Sequence, residues 1–311
     1  FRDVLGTLGM LEGQQPPLGV ELAGEVIETA GDTGGLRVGE RIFGYAPGAL
    51  AEEVVARADL LRPMPPALPD DVAAGLTVAF GTALYGLDRL AGLKAGESVL
   101  IHAGMGGVGQ AAIQIALARG ARVFATAGSD EKRADLRDMG VELALSSRAL
   151  DFEAEVARAT GGRGVDVVLN ALSGAFIPAS VRCLAEAGCF LELGKRDLLS
   201  DADFAALRPG ARYHVYDLGT RIEADPALLH DLLDEILEGF AEGIYQPLPT
   251  RCFSLDRAAE AMHWMAAARH SGKIVLRVPP RPDMRLRGDA TYLITGGLGG
   301  IGLETARWLA G

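Results

Sequence analysis

"SVLIHAGMGGVGQAAIQIALARG", residues 98–120, reads as a strand, a glycine turn and a helix in direct succession. The apolar run "SVLIHA" (98–103) suits a short buried strand. "VGQAAIQIALARG" (108–120) has apolar residues at helical spacing and ends on glycine. Between them "AGMGGVG" (103–109) sets Gly104, Gly106 and Gly109 in a GxGxxG frame. Glycine is needed there for the tight turn, for close approach of the backbone to a pyrophosphate, and for helix–sheet packing. Gly107 and Val108 open the helix, whose free N–H groups and positive dipole end suit phosphate. The stretch predicts a dinucleotide-binding unit.

Working outward, strands and helices alternate. "ARVFATAG" (121–128), "VELALSS" (141–147), "VDVVLNAL" (165–172), "CFLELG" (189–194) and "ARYHVYDLG" (211–219) read as strands. "SDEKRADLRDMG", "DFEAEVARATG" and "AFIPASVRCLAEAG" read as the helices between them. Such alternation with right-handed crossovers means an α/β doubly wound parallel Rossmann sheet. Residues 1–76 are rich in Gly, Pro and Val and read as short strands. A helix follows over "VAAGLTVAFGTALYGLDRLAG" with Asp70 or Asp71 as its cap. After the helix "PALLHDLLDEILEGFAEG", residues 245–279 read as strand, helix and strand that return to the first β unit. The expected division is 1–78 (substrate-binding β domain), 79–244 (Rossmann domain), 245–279 (return), 280–290 (linker) and 291–311.

The chain has 311 residues, and a net charge of −11 speaks against a nucleic-acid surface. No apolar run is long enough for a membrane span, and no signal peptide opens the chain. Cys183, Cys189 and Cys252 lack CxxC spacing, so a disulfide framework and a four-cysteine zinc lobe are not expected; a reducing, cytoplasmic setting is.

The second strand ends "ATAGSDEKR" (125–133). An NAD site places Asp or Glu at that end for the ribose hydroxyls. Here Ser129 and Lys132, joined by Arg148 after the third strand, form a hydroxyl-plus-cation set suited to a ribose phosphate, so NADPH is the expected cofactor. Asp130 is the residue that could serve NAD instead.

"GVELAGEVIETAG" (19–31), "VGERIFG" (38–44), the fingerprint and "SGKIVL" (271–276) resemble the medium-chain dehydrogenase/reductase superfamily. Where zinc members begin the first motif with Gly-His-Glu, this chain has Gly19-Val20-Glu21, so it looks like a member without metal. "FRDVLGTLGM", "GGRGVDVVLNALSG", "ELGKRD" and "ARHSGKIVL" narrow the resemblance to enoylreductase domains of modular polyketide synthases and animal-type fatty acid synthases, over about residues 1–279. It implies a GroES-like substrate domain, incomplete at its N-terminus, beside the Rossmann domain. It also implies NADPH-dependent reduction of the C2–C3 double bond of an enoyl thioester on an acyl carrier protein.

The family's catalytic lysine and aspartate map onto Lys195 and Asp217, at the ends of successive strands; Asp197 is a rival partner. The resemblance further implies cofactor contacts at Thr82, Asn170, Leu172, Gly194, Gly272 and Lys273. A tyrosine acid found in many relatives aligns with Leu11, which leaves Lys195 or water as proton donor. His102 reads as a packed histidine. Two other readings stay open: a quinone reductase of the same superfamily, and a cofactor-binding scaffold without turnover. A homodimer through the last sheet strand is a further possibility. "TYLITGGLGGIGLETARWLAG" (291–311), with its TGGxGxxG spacing, resembles the start of the ketoreductase that follows in such synthases. The expected neighbours are therefore that ketoreductase and other domains of one megasynthase.

Overall fold

A computed structural model of the chain describes residues 2–10, 17–279, 289 and 291–310. Leu11 and most of the expected linker lie outside the described residues. The chain divides into two bodies, Phe1–Arg277 and Val278–Gly311.

The first body opens with a helix, α1 (Arg2–Thr7), where the composition predicts strands. Three short strands follow, β1 (Glu21–Glu25), β2 (Arg41–Tyr45) and β3 (Leu61–Pro63), in one antiparallel sheet of that order. The expected helix after residue 70 is broken into α2 (Asp70–Ala73), α3 (Thr77–Leu84) and a π-helical turn, Tyr85–Ala91. Neither aspartate caps it. Pro69 takes the cap position with extended backbone, and Asp70 falls inside the first turn, paired with Arg41 at 2.5 Å. Gly92, at φ 66°, ends the π turn in the left-handed region.

The Rossmann unit then runs β4 (Ser98–Ile101), α4 (Gly107–Ala118), β5 (Arg122–Ala127), α5 (Asp130–Asp138), β6 (Leu143–Ser146), α6 (Phe152–Ala159), β7 (Val165–Asn170), α7 (Phe176–Arg182), β8 (Leu184–Glu192), α8 (Asp201–Leu207), β9 (Arg212–Val215), α9 (Leu218–Ala224) and α10 (Pro226–Ala241). The six strands are parallel, in the order β6-β5-β4-β7-β8-β9. Direction reverses beside β4, so the crevice beyond the carboxyl ends of β4 and β7 is where such sheets hold ligands. Both faces of the sheet are covered. Residues of α3, α4, α5 and α10 build one apolar layer, and those of α6, α7 and α8 the other.

Helix α7 is shorter than its sequence suggests. It stops at Arg182, and Leu184 starts β8 through an irregular pairing with β7. Gly164 permits this crossing: a Cβ there would lie 2.6 Å from the Leu184 carbonyl. The tail supplies β10 (Thr250–Ser254), α11 (Ala258–Ala266) and β11 (Lys273–Arg277). β10 and β11 form their own parallel pair rather than joining the β1–β3 sheet; α11 packs on α1 and β10 on α2.

In the second body, α12 (Gly300–Ala310) follows a glycine turn. Gly302 is pressed onto the turn, where a Cβ would sit 2.6 Å from Gly297 Cα. Residues 291–294, where a strand is expected, have no regular secondary structure.

Candidate active site

The glycine loop has the close packing its spacing demands. A Cβ on Gly109 would lie 2.5 Å from the Ala103 carbonyl oxygen and 2.7 Å from Gly104 Cα. A Cβ on Gly104 would lie 2.9 Å from Leu136 of α5. Gly106 precedes α4, whose first-turn N–H groups on Gly107, Val108 and Gly109 have no helical acceptor. The loop therefore offers an anion cradle at a helix start, as a pyrophosphate requires. The late glycine–lysine pair meets it directly. Gly272 N donates to Met105 O at 2.9 Å, and Gly106 and Gly272 form an isolated parallel bridge. Lys273 reaches between the loop and β1, where it ion-pairs with Glu21 (a residue to which its motif assigned no role). The other Glu21 oxygen accepts from Val78 N at 2.8 Å. Lys273 is thus mostly buried and paired, not a plain surface lysine.

At the ribose end, Ser129 caps α5, its Oγ accepting from Lys132 N at 3.3 Å. Arg148 lies over Gly128; a Cβ there would be 3.1 Å from its Nε. Lys132 has a second duty that spacing could not reveal. Its Nζ donates to Ala268 O at 2.8 Å and His270 O at 2.6 Å, holding the turn before Gly272. Burial first, and then the charge of Arg148, lower the Lys132 pKa. Asp130 faces away into an ion pair with Arg133.

The strand ends beyond the crevice carry a cluster of charged groups. Register pairs Asn170 with Glu192 and Glu192 with Val215, so β7, β8 and β9 end level. Lys195 and Asp217 then meet at 2.8 Å (Nζ to Oδ2), both partly open to solvent. Asp217 also caps α9, accepting from Thr220 N at 3.2 Å through Oδ1. Burial raises the Asp217 pKa, but the Lys195 hydrogen bond and charge outweigh it and hold the carboxyl below its ordinary value. Asp197 is not the lysine's partner. At φ 57°, it turns back to accept from Gly174 N at 3.1 Å. Tyr216, next to Asp217, donates to the Thr82 carbonyl at 3.0 Å and so ties β9 to α3.

Asn170 does not present a free amide. Its Nδ2 donates to Leu172 O at 3.0 Å and to Glu192 Oε2 at 2.7 Å, and its Oδ1 accepts from Leu172 N at 3.2 Å. Glu192 is fully buried, and Gly194 N donates to its Oε1 at 2.5 Å. The sequence signal for this residue was a carboxylate inside the apolar strand "CFLEL". His102 is a core residue, bonded to Thr126 at 3.0 Å and Ser180 at 2.8 Å, and burial pushes it down to about 3. Among the described residues no group of three or more His, Cys, Asp or Glu is placed to hold a metal, and no helix is long and apolar enough to cross a membrane.

Comparison with known proteins agrees with this layout. A family model described as zinc-binding dehydrogenase matches residues 107–215. The chain is similar to the CurF ER cyclopropanase from the curacin A pathway, at 34% identity and TM-score 0.85 over 90% of this chain and 88% of that one. It is equally similar in sequence to the CurK enoyl reductase, at 34% identity and TM-score 0.80 over 89% of this chain and 87% of that one. The chain belongs to the polyketide enoyl reductase family, within the medium-chain dehydrogenase/reductase superfamily. As a member it is an oxidoreductase with a nicotinamide-binding Rossmann fold. Mycobacterial Rv1454c, solved with NADPH, shares 26% identity and a TM-score of 0.83 over 90% of this chain and 88% of Rv1454c. A phenolphthiocerol/phthiocerol polyketide synthase of Mycobacterium tuberculosis is 42% identical over all of this chain, which spans 15% of that relative's length.

Proposed function

We propose that this chain is an NADPH-dependent enoyl reductase acting on an enoyl thioester carried by an acyl carrier protein during polyketide synthesis. The observation that carries the reading is the Lys195–Asp217 pair at the strand ends beside the crevice. A bound nicotinamide would supply hydride to the β carbon of the enoyl group. The residues then have two tasks: to stabilise negative charge developing on the thioester oxygen, and to deliver a proton to the α carbon. The Lys195 ammonium can do either. Asp217 orients it through their ion pair.

The cofactor fits what the residues offer. Gly104, Gly106 and Gly109 leave the space a pyrophosphate needs, with Gly107 and Val108 supplying N–H donors. Ser129, Arg148 and the remaining N–H of Lys132 suit a ribose phosphate. Leu172, Gly194 and Thr82 would lie at the nicotinamide end, and Lys273 would stand at the pyrophosphate end. Neighbouring synthase domains, including a ketoreductase after residue 290, and a cytoplasmic setting complete the proposal. A homodimer is not required by it.

The test is incubation with NADPH and a crotonyl-pantetheine or crotonyl-carrier thioester, read by NADPH oxidation and product mass. A saturated thioester is the expected product. NADPH oxidation with a quinone alone would replace the reading with a quinone reductase. Tight NADPH binding without turnover of either acceptor would leave a scaffold.

A further inference from the structure

Glu192 is a buried carboxylate to which the mechanism gives no task. Glu192 and Asn170 are both fully buried at the level ends of β8 and β7. Each carboxylate oxygen faces a donor: Oε2 takes Asn170 Nδ2 at 2.7 Å and Oε1 takes Gly194 N at 2.5 Å. The approach is backbone-close, since a Cβ on Gly194 would lie 2.6 Å from Oε1. Asn170 in turn holds both backbone polar groups of Leu172, and Gly194 is followed by Lys195. A second tie, Gly174 N to Asp197 Oδ2 at 3.1 Å, joins the same two loops further out.

We propose that Glu192 is a positioning residue whose ionised carboxylate clamps the cofactor-side loop after β7 to the lysine-bearing loop after β8. A protonated carboxyl can still accept from both donors, but it loses the negative charge that strengthens the two bonds. The clamp is therefore tightest when Glu192 is charged. Burial pushes this carboxyl up to about 7, against the hydrogen bonds of Asn170 and Gly194 and the charge of Lys195. The charged and titratable neighbours are Lys195 beyond its own strand and Tyr213 on β9, whose hydroxyl is raised to about 12 by burial and then by Glu192. The clamp thus tightens and loosens across the neutral range.

This inference rests on the nicotinamide reading of the site but not on the enoyl substrate. The test titrates the intact chain with NADPH by fluorescence from about pH 5.5 to pH 8.5, alongside Glu192→Gln. At the alkaline end the variant binds NADPH about tenfold more weakly than wild type. At the acid end the two converge, because wild type has taken up the proton. Titration of the cofactor's own phosphate is common to both and cancels in the comparison. A ratio that stays constant with pH overturns the proposal. Asn170→Ser is the second variant. It removes one donor from the carboxylate, so the acid limb of NADPH binding moves to higher pH; an unmoved limb overturns the proposal. Wild type that binds NADPH but fails to reduce a crotonyl thioester sinks the enoyl reading alone. Wild type that does not bind NADPH overturns both.

Discussion

Lys195 Nζ lies 2.8 Å from Asp217 Oδ2, although the two side chains leave different strand ends. The pair joins a long-stemmed cation to a carboxylate that is itself fixed as the cap of α9. Lys195→Ala should lower turnover of a crotonyl thioester by about 10²–10⁴-fold, the range for a lost proton donor or charge stabiliser. NADPH affinity should change little. Asp217→Asn should lower turnover less, and the double variant should be no worse than Lys195→Ala, since the residues act as one unit. Fully additive losses would contradict that coupling.

Asp217 also carries a structural load that Lys195 does not. Asp217→Ala should cost about 1 kcal/mol more in chemical denaturation than Asp217→Asn, because asparagine keeps the cap to Thr220 N. The folded-state pKa of Asp217 is depressed, so its stabilising contribution is present above the ordinary value of 3.8 and is lost as pH falls through the folded value. Thermal melts from neutral to acid pH should show wild type losing its advantage over Asp217→Ala in that acid window.

Cofactor choice should depend on Arg148. It stands over Gly128, just beyond the end of β5. Arg148→Ala should weaken NADPH about tenfold or more and leave NADH binding nearly unchanged. Equal losses for both cofactors would argue against a ribose-phosphate role. Lys132→Ala should do two things at once, weakening NADPH and lowering the melting temperature, because its Nζ also holds the Ala268 and His270 carbonyls.

Gly109→Ala should destabilise the fold by about 1–3 kcal/mol and abolish saturable NADPH binding, since its Cβ would fall 2.5 Å from the Ala103 oxygen. Denaturation and fluorescence titration on the same sample separate the two effects.

Glu192 gives a stability signature opposite in sign to that of Asp217. Its folded-state pKa of about 7 lies above the ordinary value of 4.5. Its contribution to stability is therefore full below the ordinary value and is lost as pH rises through 7, on the order of 3 kcal/mol. Glu192→Gln removes that slope. Relative to wild type, the variant should gain stability between acid and slightly alkaline pH while losing NADPH affinity over the same range.

The sequence alone determined the Rossmann unit, the glycine cradle and the place of Lys195 just beyond a strand end. Strand–helix alternation and the GxGxxG spacing are local signals, set by backbone sterics and by burial period over a few residues. Local signals failed where long-range contacts decide. Pairing of buried Leu184 with Val165 of β7, not helix propensity, ended α7 at Arg182, and Pro69 displaced the caps expected at Asp70 or Asp71. Only the tertiary structure decided which aspartate meets Lys195, that Lys132 holds the Ala268 and His270 carbonyls, and that Glu192 is shut in with Asn170. Each depends on the register of strands far apart in sequence. That register fixes which charges lose their water and which donors replace it, and spacing along one chain carries no record of either.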